Sequence, residues 1–156
     1  MAGPTLRSTH LFTLTLEVNP KVVDVGETPY GRRRIATVLG GHFEGEELHG
    51  RVLPSPGGDW LLLRRDGILQ LDVRIGLETH DGDLIYMSYR GMRHGPQWVI
   101  EQLNKGEKVD PSQYYFRTTP WFETASEKYR FLNRIVSVAT GRRDQTGPVY
   151  DVFQVL

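Results

Sequence analysis

The sequence predicts an all-β fold: a single closed antiparallel β-barrel of roughly nine strands with one short helix, residues 1–156 forming one domain. Three observations carry that expectation. First, in residues 69–90, LQLDVRIGLETHDGDLIYMSYR, Leu69, Leu71, Val73, Ile75 and Leu77 alternate with Gln70, Asp72, Arg74, Gly76 and Glu78. This is the period-two pattern of a half-buried strand, and Asp81-Gly82 tolerates the positive φ of a tight hairpin turn into the next strand. Second, strand-like runs joined by short turns recur along the chain, whereas one stretch alone has helical spacing. Third, Gly40, Gly41, Gly45 and Gly50 fall inside strand-like runs, as suits a sheet that curls. A curled sheet of many strands hides its edges most simply by closing. A two-sheet sandwich uses the same pattern and is the alternative fold.

In chain order, residues 5–18 alternate Leu6, Phe12, Leu14, Leu16 and Val18 against Leu11, Thr13, Thr15 and Glu17, a long strand ended by Asn19-Pro20. Residues 21–31, with Gly26, Pro29 and Gly31, read as a crossing loop. Residues 33–39 and 42–53 are two strands broken by Gly40-Gly41. The cluster PSPGGD turns the chain into a short strand over residues 60–65, and Asp66-Gly67 turns it again into the long hairpin. Pro96 starts the helix, in which Trp98, Val99 and Leu103 recur at helical spacing before Gly106 stops it. Residues 112–119 form a strand that Pro120 interrupts. Ser126 caps a single turn through Phe131, and residues 133–139 and 149–156 are the last strands.

Composition narrows the function classes. Lysines and arginines number 19 and acidic residues 19, so there is no one-signed field to attract nucleic acid or an anionic membrane, and neither is expected as a partner. The absence of cysteine removes disulfides, thiolate nucleophiles and sulfur-ligated zinc, and fits a reducing cytoplasm. No apolar run suits a signal peptide or a membrane-spanning helix, so a soluble cytoplasmic protein is expected. His10, His42, His49, His80 and His94 show no metal-binding spacing, there is no nucleophile elbow and no phosphate-cradling glycine loop, and neither metal nor cofactor is expected.

The blocks GRRRIATVLGGHFEGEELHGRVLPSPGGDW, RRDGILQLDVRIGLETHDGDLIYMSYRG and YYFRTTPWFETASEKYRFLN, in that order, resemble a small, mainly bacterial family known as the domain of unknown function number thirty-two thirty-seven. The resemblance spans residues 7–155. It implies a closed barrel with a central cavity, and in architecture it is similar to the lipocalin-like barrels that carry ligands or act as cofactor-free enzymes. The family's pattern falls here on Arg33, Glu44, Asp59, Trp60, the turn pair Asp66-Gly67, Asp72, Arg74, Tyr89, Arg117, Glu123 and Asn133. No catalytic role comes with those positions.

From the residues themselves, Asp59-Trp60 follows Gly57-Gly58, so a flexible turn delivers a carboxylate and an indole to the start of a strand. Asp59 is a candidate acid or base and Trp60 a pocket wall; equally, one ends a turn and the other is core. Asp72 and Arg74 share one strand face. If that face is outside they are a solvated pair, and if inside they are buried charges needing Arg117 and Glu123 as partners, with the apolar face then covered by the helix or by a second subunit of a homo-oligomer. Tyr115 and Arg117 offer a phenol and a fixed cation for a carboxylate or enolate oxygen, or else a core strand with one snorkelling arginine. Tyr89 is a further candidate proton donor or else a packed strand tyrosine, and Asn133 a further candidate ligand contact.

The expected function is a small-molecule-binding barrel, read as a cofactor-free acid–base enzyme (a hydrolase, isomerase or cyclase) on a small, partly apolar carbonyl compound. Asp59, Asp72, Arg117 and Glu123 are its candidate catalytic groups, and Trp60, Arg74, Tyr89, Tyr115 and Asn133 its candidate ligand contacts. A carrier or sensor using the same cavity without chemistry is the alternative. A strongly raised carboxylate pKa inside the cavity favours the enzyme, and a purely apolar cavity favours the carrier.

Overall fold

The hydrogen-bonded circuit of strands runs right round the molecule. The computed structural model describes residues 2–156. Its strands are β1 (Ser8–Val18), β2 (Val23–Thr28), β3 (Gly31–Glu44), β4 (His49–Val52), β5 (Gly58–Leu63), β6 (Leu69–Thr79), β7 (Leu84–His94), β8 (Tyr115–Thr124), β9 (Ser137–Arg143) and β10 (Pro148–Val155), with one helix, α1 (Gln97–Asn104). All pairings are antiparallel, in the order β1, β10, β9, β8, β7, β6, then β4 and β5, then β3, which pairs back to β1. The result is a closed barrel of 8 strands with 2 extra strands. The extras arise because two staves are split: β4 and β5 share the edge of β3 that faces β6, and β2 continues along β3 where β1 leaves it. Closure removes the unpaired edges that an open sheet would expose.

Alternation then sorts the side chains. Leu71, Val73, Ile75 and Leu77 of β6, Ile85, Met87 and Tyr89 of β7, and Phe116 and Phe122 of β8 all point inward and are buried. One half of the interior is packed solid around Phe12, Phe43 and Phe122, whose rings meet at centroid distances of 5.3 and 5.9 Å. Burying such a side chain contributes about 1.5–3 kcal/mol. Over the other half, α1 lays Val99 and Leu103 against the core cluster.

Four expectations are corrected. Residues 21–31 are not a plain loop but contain β2, paired to β3 through Glu27 and Arg32. Gly40-Gly41 does not break the strand: β3 runs unbroken from Gly31 to Glu44, and at Gly41 a Cβ would stand 2.0 Å from the Thr15 carbonyl oxygen, so glycine lets β1 and β3 touch. Pro120 does not end β8 either. The β8–β9 ladder is confined to Arg117–Thr140 and Thr118–Ala139, so the edge on which Pro120 lacks an N–H has no ladder left to serve. Its carbonyl accepts the Ser137 hydroxyl at 2.5 Å instead. Asn133 lies in a 3-10 turn (Arg130–Arg134) rather than in a strand, and Ser126 accepts the Tyr129 N–H just ahead of it at 3.3 Å.

Candidate functional site

Between the solid half and α1 the barrel holds a hollow of about 700 Å³, walled by Leu61, Leu69, Leu71, Leu103 and Phe116, with Asp59, Arg93, Arg143, Arg34 and Glu17 as its charged lining groups. The volume falls in the range of small-molecule sites.

Asp59 reaches this lumen through a gap in the wall. β5 and β6 are bridged at Gly58–Arg74 and Asp59–Val73 and again at Leu62–Gln70, but not between. In the gap the Asp72 N–H donates to the Asp59 carboxylate at 3.1 Å, the one hydrogen bond recorded for that side chain among the described residues. At 9% exposure, with so little to replace water, the carboxyl is pushed up to about 7 by burial, with the charge of Asp72 adding to the shift and the backbone bond opposing it.

The groups facing it are unusual in having no partners. Val73 separates Asp59 from Tyr89 along one row of the sheet, so their backbones lie two strand spacings apart, roughly 10 Å. Tyr89 meets Tyr150 edge to face at 5.0 Å between ring centroids, and Tyr150 meets Phe116 at 5.4 Å. No well-formed hydrogen bond reaches the buried hydroxyls of Tyr89, Tyr150 and Thr118 or the Nε of Arg93, although the two phenols are close enough to interact with each other. Burial, then mutual proximity and the Asp59 charge, raises Tyr89; burial and Asp59 raise Tyr150, so both phenols stay protonated donors. Burial, with Arg143 beside it, lowers Arg93. Orphaned buried polar atoms are rare and costly, at about 1–3 kcal/mol each. Of these residues Arg93 lines the hollow itself, whereas Tyr89 and Tyr150 are packed in the core close enough to Asp59 to feel its charge. Between Tyr89 and Arg93 on the same inward face, Gly91 carries no side chain, and a Cβ there would stand 2.3 Å from the Arg117 carbonyl oxygen.

The remaining sequence candidates stand elsewhere. Trp60, Asp72, Arg74, Tyr115, Arg117 and Glu123 occupy the outer face of β5, β6 and β8. There Arg74 lies 5.8 Å from the Trp60 ring, Arg117 lies 5.3 Å from the Tyr115 ring, and Arg90 is 4.0 Å from Asp72. Asn133 holds the Thr124 backbone by two bonds of 2.9 Å. The structure therefore places Asp59 and Tyr89 on the inner face, brings Asp72 to Asp59 through its backbone N–H and its charge, and leaves the side chains of Asp72, Arg117 and Glu123 on the outer face. Sequence reasoning passed over Arg93, Tyr150 and Thr118. The signal was present for Arg93, which is in phase with Ile85, Met87 and Tyr89 on an otherwise apolar face. Among the described residues, no group of three His, Cys, Asp or Glu side chains is arranged to hold a metal ion, and no helix is long and apolar enough to cross a membrane.

A family model described as "Protein of unknown function (DUF3237)" matches residues 6–155. A UPF0311 protein of Bradyrhizobium diazoefficiens is 40% identical over 153 residues, covering 98% of this chain and 99% of that protein. The crystal structure of a protein of unknown function from Rhodopseudomonas palustris superimposes with a TM-score of 0.93 at 38% identity, covering 99% of this chain and 100% of that one. A beta-barrel like protein from Acinetobacter baumannii gives 0.85 at 38% identity, with 99% of each chain covered. The structure of an enzyme from Penicillium herquei, at 20% identity and a TM-score of 0.73 over 100% of this chain and 99% of that one, shares the fold.

Proposed function

This chain belongs to the DUF3237 family, and from that premise we propose that its barrel is a cofactor-free acid–base enzyme acting on a small, partly apolar carbonyl compound, with Asp59 moving the proton. The observation that carries the proposal is the constellation in the lumen. One buried carboxyl accepts a single hydrogen bond, Arg93 lines the same space with its Nε unpartnered, and the buried phenols of Tyr89 and Tyr150 lie within reach of the Asp59 charge.

A carboxyl near 7 is half ionised at neutral pH, so it can take a proton and return it. In the reaction that fits best, ionised Asp59 removes a proton from the carbon beside a carbonyl. The electron pair moves to the carbonyl oxygen, which the phenols and the Arg93 guanidinium stabilise as an enolate. Where a C=C bond adjoins the deprotonated carbon the anion is a dienolate, and protonated Asp59 delivers the proton to the far carbon of that bond while the double bond moves into conjugation with the carbonyl, an isomerisation. If the enolate carbon instead attacks a second carbonyl carbon in the same molecule, a C–C bond forms, that carbonyl's π pair moves to its oxygen, and protonated Asp59 gives its proton to the resulting alkoxide, a cyclisation. The leucine and phenylalanine walls take the apolar part of the substrate.

The elementary step is testable without knowing the natural substrate. A panel of aryl ketones in deuterium oxide, followed by NMR, should exchange its α-protons faster with the protein than without it, the rate rising with pH through a midpoint near 7. Asp59→Asn should abolish the acceleration. Exchange that persists in Asp59→Asn contradicts the proposal. Tight ligand binding with no exchange from any ketone identifies a carrier.

A further inference from the structure

The outer face of the same strands carries a second concavity, of about 680 Å³, that the lumen chemistry does not use. A single row crosses it. Arg33 of β3 stands opposite Leu62 of β5, Leu62 opposite Gln70 of β6, Gln70 opposite Met92 of β7, and Met92 opposite Arg117 of β8. The two arginines thus mark its ends, four strand spacings apart, or roughly 19 Å between backbones. Between them lie Gln70 and three part-exposed apolar groups, Trp60, Met92 and Tyr115 at 39%, 36% and 46% exposure, with Arg74 beside the Trp60 ring and the Tyr115 ring stacked on His94 at 4.9 Å between centroids.

Both end guanidiniums are anchored but not neutralised. Arg33 donates through one nitrogen to the Trp60 carbonyl at 2.9 Å, and Arg117 through one nitrogen to the Phe116 carbonyl at 2.8 Å, and neither is in a salt bridge among the described residues. Backbone anchoring fixes each fork with its other N–H groups free to bind, so less order is lost when an anion arrives. Arg90 adds a third cation and Asp72, 4.0 Å from it, is the one acidic group in the lining. The groove is therefore cationic on a chain whose net charge is zero. A second copy of this chain laid face to face would set arginine against arginine, which argues against self-association here.

We infer that this outer groove binds a planar aromatic carboxylate: the ring lies on Trp60, Met92 and Tyr115, and carboxylate oxygens accept from the Arg33 and Arg117 guanidiniums. Arginine forks match carboxylates in two-pronged geometry, and flat rings suit a floor of indole, thioether and phenol. None of Asp59, Tyr89, Tyr150 or Arg93 lines the groove, although Leu71 stands in the wall between the two spaces.

The test uses a naphthalene dicarboxylate with its acid groups at opposite ends, and its uncharged dimethyl ester, by calorimetry and NMR on the full chain. The diacid should shift the Trp60 indole and Met92 methyl signals. Arg33→Gln and Arg117→Gln should each weaken it about tenfold, and the ester should bind at least about tenfold more weakly than the diacid. Asp59→Asn should bind it as tightly as the unaltered chain. Shifts confined to Tyr89 and Tyr150, equal binding of the ester, undiminished binding in the double arginine variant, or no binding at millimolar diacid would each overturn the inference. So would a dimer in sedimentation that Arg117→Gln dissolves.

Discussion

The inner and outer faces of β5, β7 and β8 are built from alternate residues of the same strands, yet they present opposite electrostatics. Asp59 points in and Trp60 out; Tyr89 in and Arg90 out; Arg93 in and Met92 out; Phe116 in and Tyr115 out. Outside, charges settle against rings, carbonyl oxygens and water. Inside, three hydroxyls and a guanidinium nitrogen find nothing, and a carboxyl is pushed up to about 7. The contrast teaches that one residue of register decides whether a charged group is solvated or buried with a shifted pKa.

The sharpest way to break that contrast is to remove one carboxylate from each face. Asp59→Asn should slow α-proton exchange by about 100- to 10,000-fold, whereas Glu123→Gln, exposed on β8, should leave it within about twofold. Equal losses would mean the faces are not functionally distinct.

Stability against pH gives the next largest effect. Asp59 has its folded pKa raised above the ordinary carboxylate value, so between about 4 and 7 the folded state holds the proton more tightly than the unfolded state. Its contribution therefore favours folding at low pH and is lost as pH rises through that window, a cost on the order of a few kcal/mol. Urea melts from pH 4 to 8 should show this decline, and Asp59→Asn should remove it.

Two buried hydroxyls sharpen the comparison further. Ser137 satisfies the Pro120 carbonyl, while Tyr150 satisfies nothing. Ser137→Ala should cost about 1–2 kcal/mol in denaturant unfolding. Tyr150→Phe should cost nothing or stabilise by up to about 1 kcal/mol while slowing exchange about tenfold. Smallest of all, Arg74→Gln on the outer face should change stability by less than about 0.5 kcal/mol, since its contact with Trp60 is exposed.

Much of the fold was legible because alternation and turns are local. The β6–β7 hairpin, the helix between Pro96 and Gly106, and Asp66-Gly67 as a turn need only neighbouring residues to be read. What local reading lost depends on partners distant in sequence: Pro120 survives within β8 because β9 has already left, and Gly41 keeps β3 whole because β1 presses on it. The site was legible in part for the same reason. Asp59 and Tyr89 stood out by residue type, whereas Tyr150 joins them only because β10 closes the barrel beside β1. Asp72, Arg74, Tyr115 and Arg117 attracted attention as a charged and aromatic cluster, and alternation against Leu71, Val73 and Phe116 is what puts them outside.

The central claim is that the lumen holds a carboxyl poised to move protons. Labelling the aspartate side-chain carbons with carbon-13, and identifying Asp59 by the signal missing in Asp59→Asn, allows its titration to be read directly. A midpoint near 7, with the Tyr89 and Tyr150 ring signals moving in step, is the predicted result. A midpoint near 4, as for an aspartate in water, would contradict the account.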